Sequence, residues 1–189
     1  MTNKVKNQVL KYLYNQKLFG IKYHSDLNIN FYSSCDFALP NSLEELKKSV
    51  TNCYLCDLSK TRKHTLFGYG SQNSKIMFIC DEPSKSEDDL GSFFVGNSGD
   101  MLAKMIEGSL KIKKEEVYTT NLVKCRGTKE ATFQNFESCN CYLLKQIEVI
   151  KPKIIVAVGE RVHDYLLKSS GEFLKNRGKV LSFNSAILV

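Results

Sequence analysis

Long apolar runs are missing from this chain. Nothing in it approaches the roughly 18–20 consecutive apolar residues of a membrane-spanning helix, so the sequence predicts no membrane association of that kind. The N-terminal run MTNKVKNQVLKYLYNQ lacks both an apolar h-region and a small-residue cleavage site. Secretion is not expected on that reading, and a cytoplasmic protein is expected. No internal repeat or low-complexity stretch is visible, and 189 residues suit one domain of ordinary size. Seven cysteines without an export signal are expected to be reduced thiols rather than disulfides. Metal ligation, catalysis and simple burial all remain open to them.

What is present begins with charge. A net charge of +7 points to a polyanionic partner, because lysine and arginine release condensed counterions from nucleic acid. The plainer reading is that the charge only maintains solubility.

The hydrophobic pattern divides the chain at about residue 45. Residues 1–45 read as an N-terminal helical extension, with Val5, Val9, Leu10, Tyr12, Leu13 and Leu18 near helical spacing and Gly20 closing that helix. Ser42 and Glu45 match a capping box for a short helix running to Val50. Residues 46–189 form the main domain. Strands are expected at 75–80 (KIMFIC), 117–123 (VYTTNLV), 153–158 (KIIVAV) and 185–189 (SAILV), the last hairpin-paired with 179–183. Helices are expected over 98–110, 136–150 and 160–168. The expected fold class is α/β, a mostly parallel four-stranded sheet flanked by helices on both faces. Ligands in such sheets bind beyond the carboxyl ends of the strands. That rule nominates residues 80–84, 121–126 and 159–160.

Cys53-Tyr-Leu-Cys56 is a C-x2-C pair following a short helix. Cys125 follows directly on a strand, and Cys139 opens the next helix, so both flank one loop at the same end of the sheet. Four thiolates converging there would suit a tetrahedral zinc or a cubane cluster, and burial as small hydrophobes is the plain alternative. Cys141 competes with Cys139, while Cys35 and Cys80 look like spare or core thiols.

The run from CYLCDLSKTRKHTLFGYG through KIMFICDEPS to GSFFVG, then VYTTNLVKCR, then CNCYLLKQIEVIKPKIIVAVG, resembles the family 4 uracil-DNA glycosylases over about residues 50–189. These are iron–sulfur members of the uracil-DNA glycosylase superfamily. The resemblance implies a [4Fe-4S] cluster on Cys53, Cys56, Cys125 and Cys139, displacing zinc. It favours Cys139 over Cys141, because the family's fourth cysteine stands three residues before the position of Tyr142.

The first catalytic motif of the family, close to Gly-Glu-Ala-Pro-Gly, falls on Cys80-Asp81-Glu82-Pro83-Ser84. Asp81 then takes the place of the family carboxylate, with Glu82 beside it as a second candidate acid. Phe94 corresponds to the phenylalanine that stacks on the flipped base, with Phe93 as a core-packing alternative. Asn121 corresponds to the asparagine that reads the uracil edge.

The implied activity is hydrolysis of the N-glycosidic bond of uracil in single- or double-stranded DNA, by a monomer. Family members continue into a His-Pro-Ser/Ala loop, whereas this chain stops at SAILV, and His24, His64 and His163 do not occupy that motif. A truncated or degenerate member is therefore expected, since losing a donor to a developing charge costs about 10²–10³ in rate. Two other readings stay open: a cluster-bearing module that binds DNA without cleaving it, and a glycosylase for another damaged base.

Overall fold

The central strands form where apolar residues run unbroken. The computed structural model describes residues 39–184 and 186–189, so the helix expected over 1–20 lies outside the described residues. Strand β1 spans Tyr69–Gly70, β2 Ile76–Cys80, β3 Tyr118–Asn121, β4 Ile154–Ala157, β5 Leu181–Phe183 and β6 Ala186–Leu188. They make one sheet in the order β1-β3-β2-β4-β6-β5. The inner β3-β2-β4-β6 block is parallel throughout. It contains the four strands read from the sequence. Antiparallel β1 and β5 extend the sheet to six, which corrects the expected four. The expected hairpin between the last two strands is present. Strand β1 is two residues long and carries too little pattern to be seen in sequence.

Helix α1 (Leu43–Thr51) buries Leu46 and Val50. Ser42 holds the extended N-cap conformation, but its hydroxyl makes no capping bond, so the box expected with Glu45 does not form. Two capping boxes form elsewhere, at Ser84 with Glu87 and at Thr132 with Asn135. The first starts α2 (Lys85–Leu90), a polar helix without an apolar stripe that the hydrophobic pattern misses. Helix α3 (Gly96–Lys104) runs on into a π turn at Met105–Ser109. The second box starts α4 (Phe133–Ile150), three residues before the expected helix start. Cys139 therefore sits in the second turn of α4 rather than at its opening. Helices α5 (Glu160–Leu167) and α6 (Phe173–Asn176) complete the described set. Among the described residues no helix is long and apolar enough to cross a membrane.

Every residue of β3 is buried, as expected of a strand covered on both faces. Alternation sends its residues to different neighbours. On one side Gln146 of α4 bonds Tyr118 Oη at 2.9 Å and accepts from Thr120 Oγ1 at 3.2 Å. On the other side lies a core of Phe78, Phe94, Ile106 and Val117. Thr119 and Asn121 share the parity of Val117, and thus this second side.

Candidate base pocket and cysteine cavity

The carboxyl ends of β2 and β3 lie side by side, with Cys80 in register with Asn121. Two backbone bonds extend the pairing past the strands, from Leu122 N to Cys80 O at 2.8 Å and from Val123 N to Asp81 O at 3.1 Å. The residues nominated by the sheet-end rule thereby meet in one pocket. Asp81, Glu82, Phe94, Asn121, Arg126 and Arg161 all contribute to its walls.

The two acids differ in their surroundings. Glu82 is nearly buried, its side chain 9% exposed, and both of its oxygens are engaged. Oε1 stands 3.3 Å from Arg126 Nη1, and Oε2 accepts from Ala131 N at 2.7 Å. Arg126 also donates to Pro83 O at 2.8 Å, so Glu82 ties the motif to the loop before α4. Asp81 is more open, its side chain 37% exposed. Its Oδ1 accepts from Glu82 N at 2.8 Å, and its Oδ2 lies 3.2 Å from Arg161 Nη1. Arg161 is held in turn by Ala131 O and by the ring of Phe136, 5.0 Å from its guanidinium carbon. The Ser84 that stands in place of the family glycine caps α2 through its hydroxyl. Burial pushes the neighbouring Cys80 thiol up to about 12.

Asn121 is 3% exposed, and its Nδ2 has no hydrogen-bond partner among the described residues. A buried amide donor left unpaired costs about 1–3 kcal/mol. Phe94 stands in the left-handed region at φ 61°, unusual for a bulky residue. Its N–H donates to Glu87 Oε1 at 3.3 Å. Gly99 makes the turn sterically feasible, since a Cβ there would approach the Phe94 backbone to 2.7 Å. The Phe94 ring meets Tyr69 edge-on at 5.3 Å and 81°. Phe93 also lines the pocket, so both aromatic candidates are brought to it.

A second cavity lies against the C-x2-C turn. Cys53, Cys56, Cys125 and Cys139 line it together with Val50, Leu55, Leu58, Val123 and Tyr142. Cys141, the competing thiol, is not part of its wall. No three Cys, His, Asp or Glu side chains among the described residues close tightly enough to grip one metal ion. The four thiols line one cavity. Burial pushes Cys139 up to about 12 and raises Cys56 and Cys125 above the usual thiol range. Arg62 opposes that shift at Cys125, where its Nη1 donates to Sγ at 3.1 Å.

Lys124, beside Cys125, is wholly buried. Its Nζ donates to Asn121 O at 2.6 Å and to Thr120 Oγ1 at 2.7 Å. Among the described residues no carboxylate pairs with it. Burial pulls its ammonium down to about 8, against the opposing influence of Cys139, Cys125 and Cys141. The sequence reading missed Lys124, Arg62, Arg126 and Arg161. Lys124 and Arg126 lie inside the nominated 121–126 stretch and Arg161 just beyond 159–160, so the sheet-end rule held the signal. Nothing in the pattern marked Arg62.

The sequence profile of the uracil DNA glycosylase superfamily matches residues 67–189. The Type-4 uracil-DNA glycosylase of Sulfurisphaera tokodaii is 35% identical over 142 residues, 74% of this chain and 64% of that protein. The Type-4 uracil-DNA glycosylase of Saccharolobus solfataricus is 36% identical, covering 74% of this chain and 66% of that protein. The namesake from Pyrobaculum aerophilum is 33% identical over 140 residues, 73% of this chain and 71% of the relative. The chain thus spans slightly under two thirds of the length of the first two. The matched span holds the whole sheet with its pocket, together with Cys125 and Cys139, and on that breadth of similarity the chain belongs to the uracil DNA glycosylase superfamily.

Proposed function

We propose that this chain is a type-4-like uracil-DNA glycosylase that hydrolyses the N-glycosidic bond of uracil in DNA and carries a [4Fe-4S] cluster. The observation that carries the first half is the unpaired, buried amide of Asn121 in a pocket that also holds Asp81 and Phe94. An amide offers a donor and an acceptor side by side, the complement of uracil O4 and N3–H. Phe94 supplies the planar apolar wall that a flipped base needs. The net charge of +7 suits the DNA backbone around it.

In this reading Asp81 rather than Glu82 is the working acid. Its Oδ2 is open to the pocket apart from one guanidinium contact, whereas both oxygens of Glu82 are consumed by Arg126 and Ala131. Asp81 accepts a hydrogen bond from the attacking water, or stabilises the positive charge growing on the sugar as the base departs. Water adds to the anomeric carbon and gives up a proton to the Asp81 carboxylate, the C–N electron pair departs with uracil N1, and the uracil anion takes up a proton as it leaves an abasic site.

Cys53, Cys56, Cys125 and Cys139 would hold the cluster. The charge balance of the cavity supports an anionic group there. Lys124 is a buried cation with no carboxylate, and such a charge is strongly unfavourable unless compensated. A cluster bound by four thiolates would compensate it and would order the C-x2-C turn against α4. Incubation with a uracil-containing oligonucleotide followed by alkali tests the activity. Strand cleavage well above that of an Asp81→Asn control is expected, and cleavage no greater than that control would reject the proposal.

A further inference from the structure

Thr119 lies two residues before Asn121 on the same face of β3, and it lines the base pocket with it. It is 1% exposed, and its Oγ1, like Asn121 Nδ2, has no hydrogen-bond partner among the described residues. The contrast with its neighbour is informative. Thr120, on the opposite face, accepts from Lys124 and donates its hydroxyl towards Phe67 O at 2.9 Å and Gln146 Oε1 at 3.2 Å. Polar groups around this strand are therefore satisfied where the surroundings are protein alone. They are left open where the strand faces the pocket. Valine has nearly the shape of threonine and would fill the same space without an unpaired hydroxyl. A hydroxyl there is favourable only when something in the pocket bonds to it.

We propose that Thr119 is a second polar reader of the flipped base, donating its hydroxyl to the exocyclic oxygen on the deep edge. The proposal rests on the glycosylase reading above. A base enters from the carboxyl ends of the strands, and Thr119 sits about 6–7 Å deeper along β3 than Asn121. A carbonyl oxygen carries two lone pairs. Asn121 Nδ2 takes one of those on uracil O4 and Thr119 Oγ1 takes the other. The two groups without partners among the described residues are then satisfied by one atom.

The test compares wild type, Thr119→Val and Thr119→Ser in two measurements. One is the thermal midpoint without DNA. The other is affinity for a uracil-containing oligonucleotide relative to its cytosine counterpart, whose position 4 carries an amino group in place of the oxygen, read whether or not turnover occurs. The proposal expects Thr119→Val to melt higher than wild type, because the unpaired hydroxyl is gone. It expects the same variant to lose on the order of tenfold in uracil-selective affinity. Thr119→Ser should keep wild-type selectivity. Unchanged selectivity in Thr119→Val, or an equal loss in both variants, would overturn the role of the hydroxyl while leaving the glycosylase reading intact. A wild type with no preference for uracil would overturn both.

Discussion

The cysteine cavity and the base pocket lie on either side of the loop after β3, and they leave different things unbalanced. Beside the cavity, Lys124 is a full buried charge with two neutral acceptors and no acid. In the pocket, Asn121 Nδ2 and Thr119 Oγ1 are neutral groups without partners. An unpaired buried ion costs several kcal/mol, whereas a neutral orphan costs about 1–3 kcal/mol. Neutral orphans of that cost are compatible with a ligand that the proposed activity would bind and release each cycle. Its cysteine cavity is unfavourable without a resident anion. On the proposed function, the first site would serve exchange and the second permanent occupation.

Substitutions can break that distinction. The largest effect is expected from Cys139→Ala, since Cys139 is buried in α4 and anchors the cavity to the core. Loss of the visible absorption that the proposed [4Fe-4S] cluster would give, together with more than about 4 kcal/mol of stability, should follow, measured by absorption and thermal melting. Lys124→Met comes next. It should destabilise the cluster-loaded chain by about 3–5 kcal/mol, yet leave the chelator-stripped chain as stable as before or more so. Equal losses in both forms would show that the cation answers to something other than the cavity.

Effects on the pocket should fall on activity instead. Asn121→Ala should cost about 10²–10³ in kcat/KM, with no loss of thermal stability because an unpaired donor is removed. Glu82→Gln should show the reverse pattern. It removes the ionic arm to Arg126 while the remaining carbonyl can still accept from Ala131 N, lowering stability by about 1–3 kcal/mol while kcat per folded molecule changes far less than in Asp81→Asn. If Glu82→Gln were the more damaging to kcat, the two acids would have to exchange roles.

Much of this was legible in the sequence, and the omissions have physical causes. IMFIC, YTTN and IIVA read as strands because apolar and β-branched residues leave few alternatives. Helix α2 is SKSEDDL with its cap, held by local capping and by buried Asp88, which accepts from Lys63 N and His64 N. Neither interaction leaves a hydrophobic period. The paired motifs placed Asp81, Phe94 and Asn121 in one pocket and the four cysteines around one cavity. Sequence could not tell the surroundings of Asp81 from those of Glu82, because Glu82 is engaged by Arg126 and Ala131, both more than forty residues away. Lys124 was passed over because lysine is ordinarily exposed, and only the packed structure reveals this one as buried. Thr119 was within reach, since its parity with Asn121 puts both on one strand face, but only burial shows that its hydroxyl lacks a partner.

The contrast between an exchanged ligand and a resident one is tested most directly by counting iron and acid-labile sulfide in protein purified without oxygen. About four of each per chain are expected, falling in Cys53→Ala and Cys139→Ala but unchanged in Asn121→Ala. Protein that carries neither iron nor sulfide, yet keeps its fold and its uracil preference, would contradict the account.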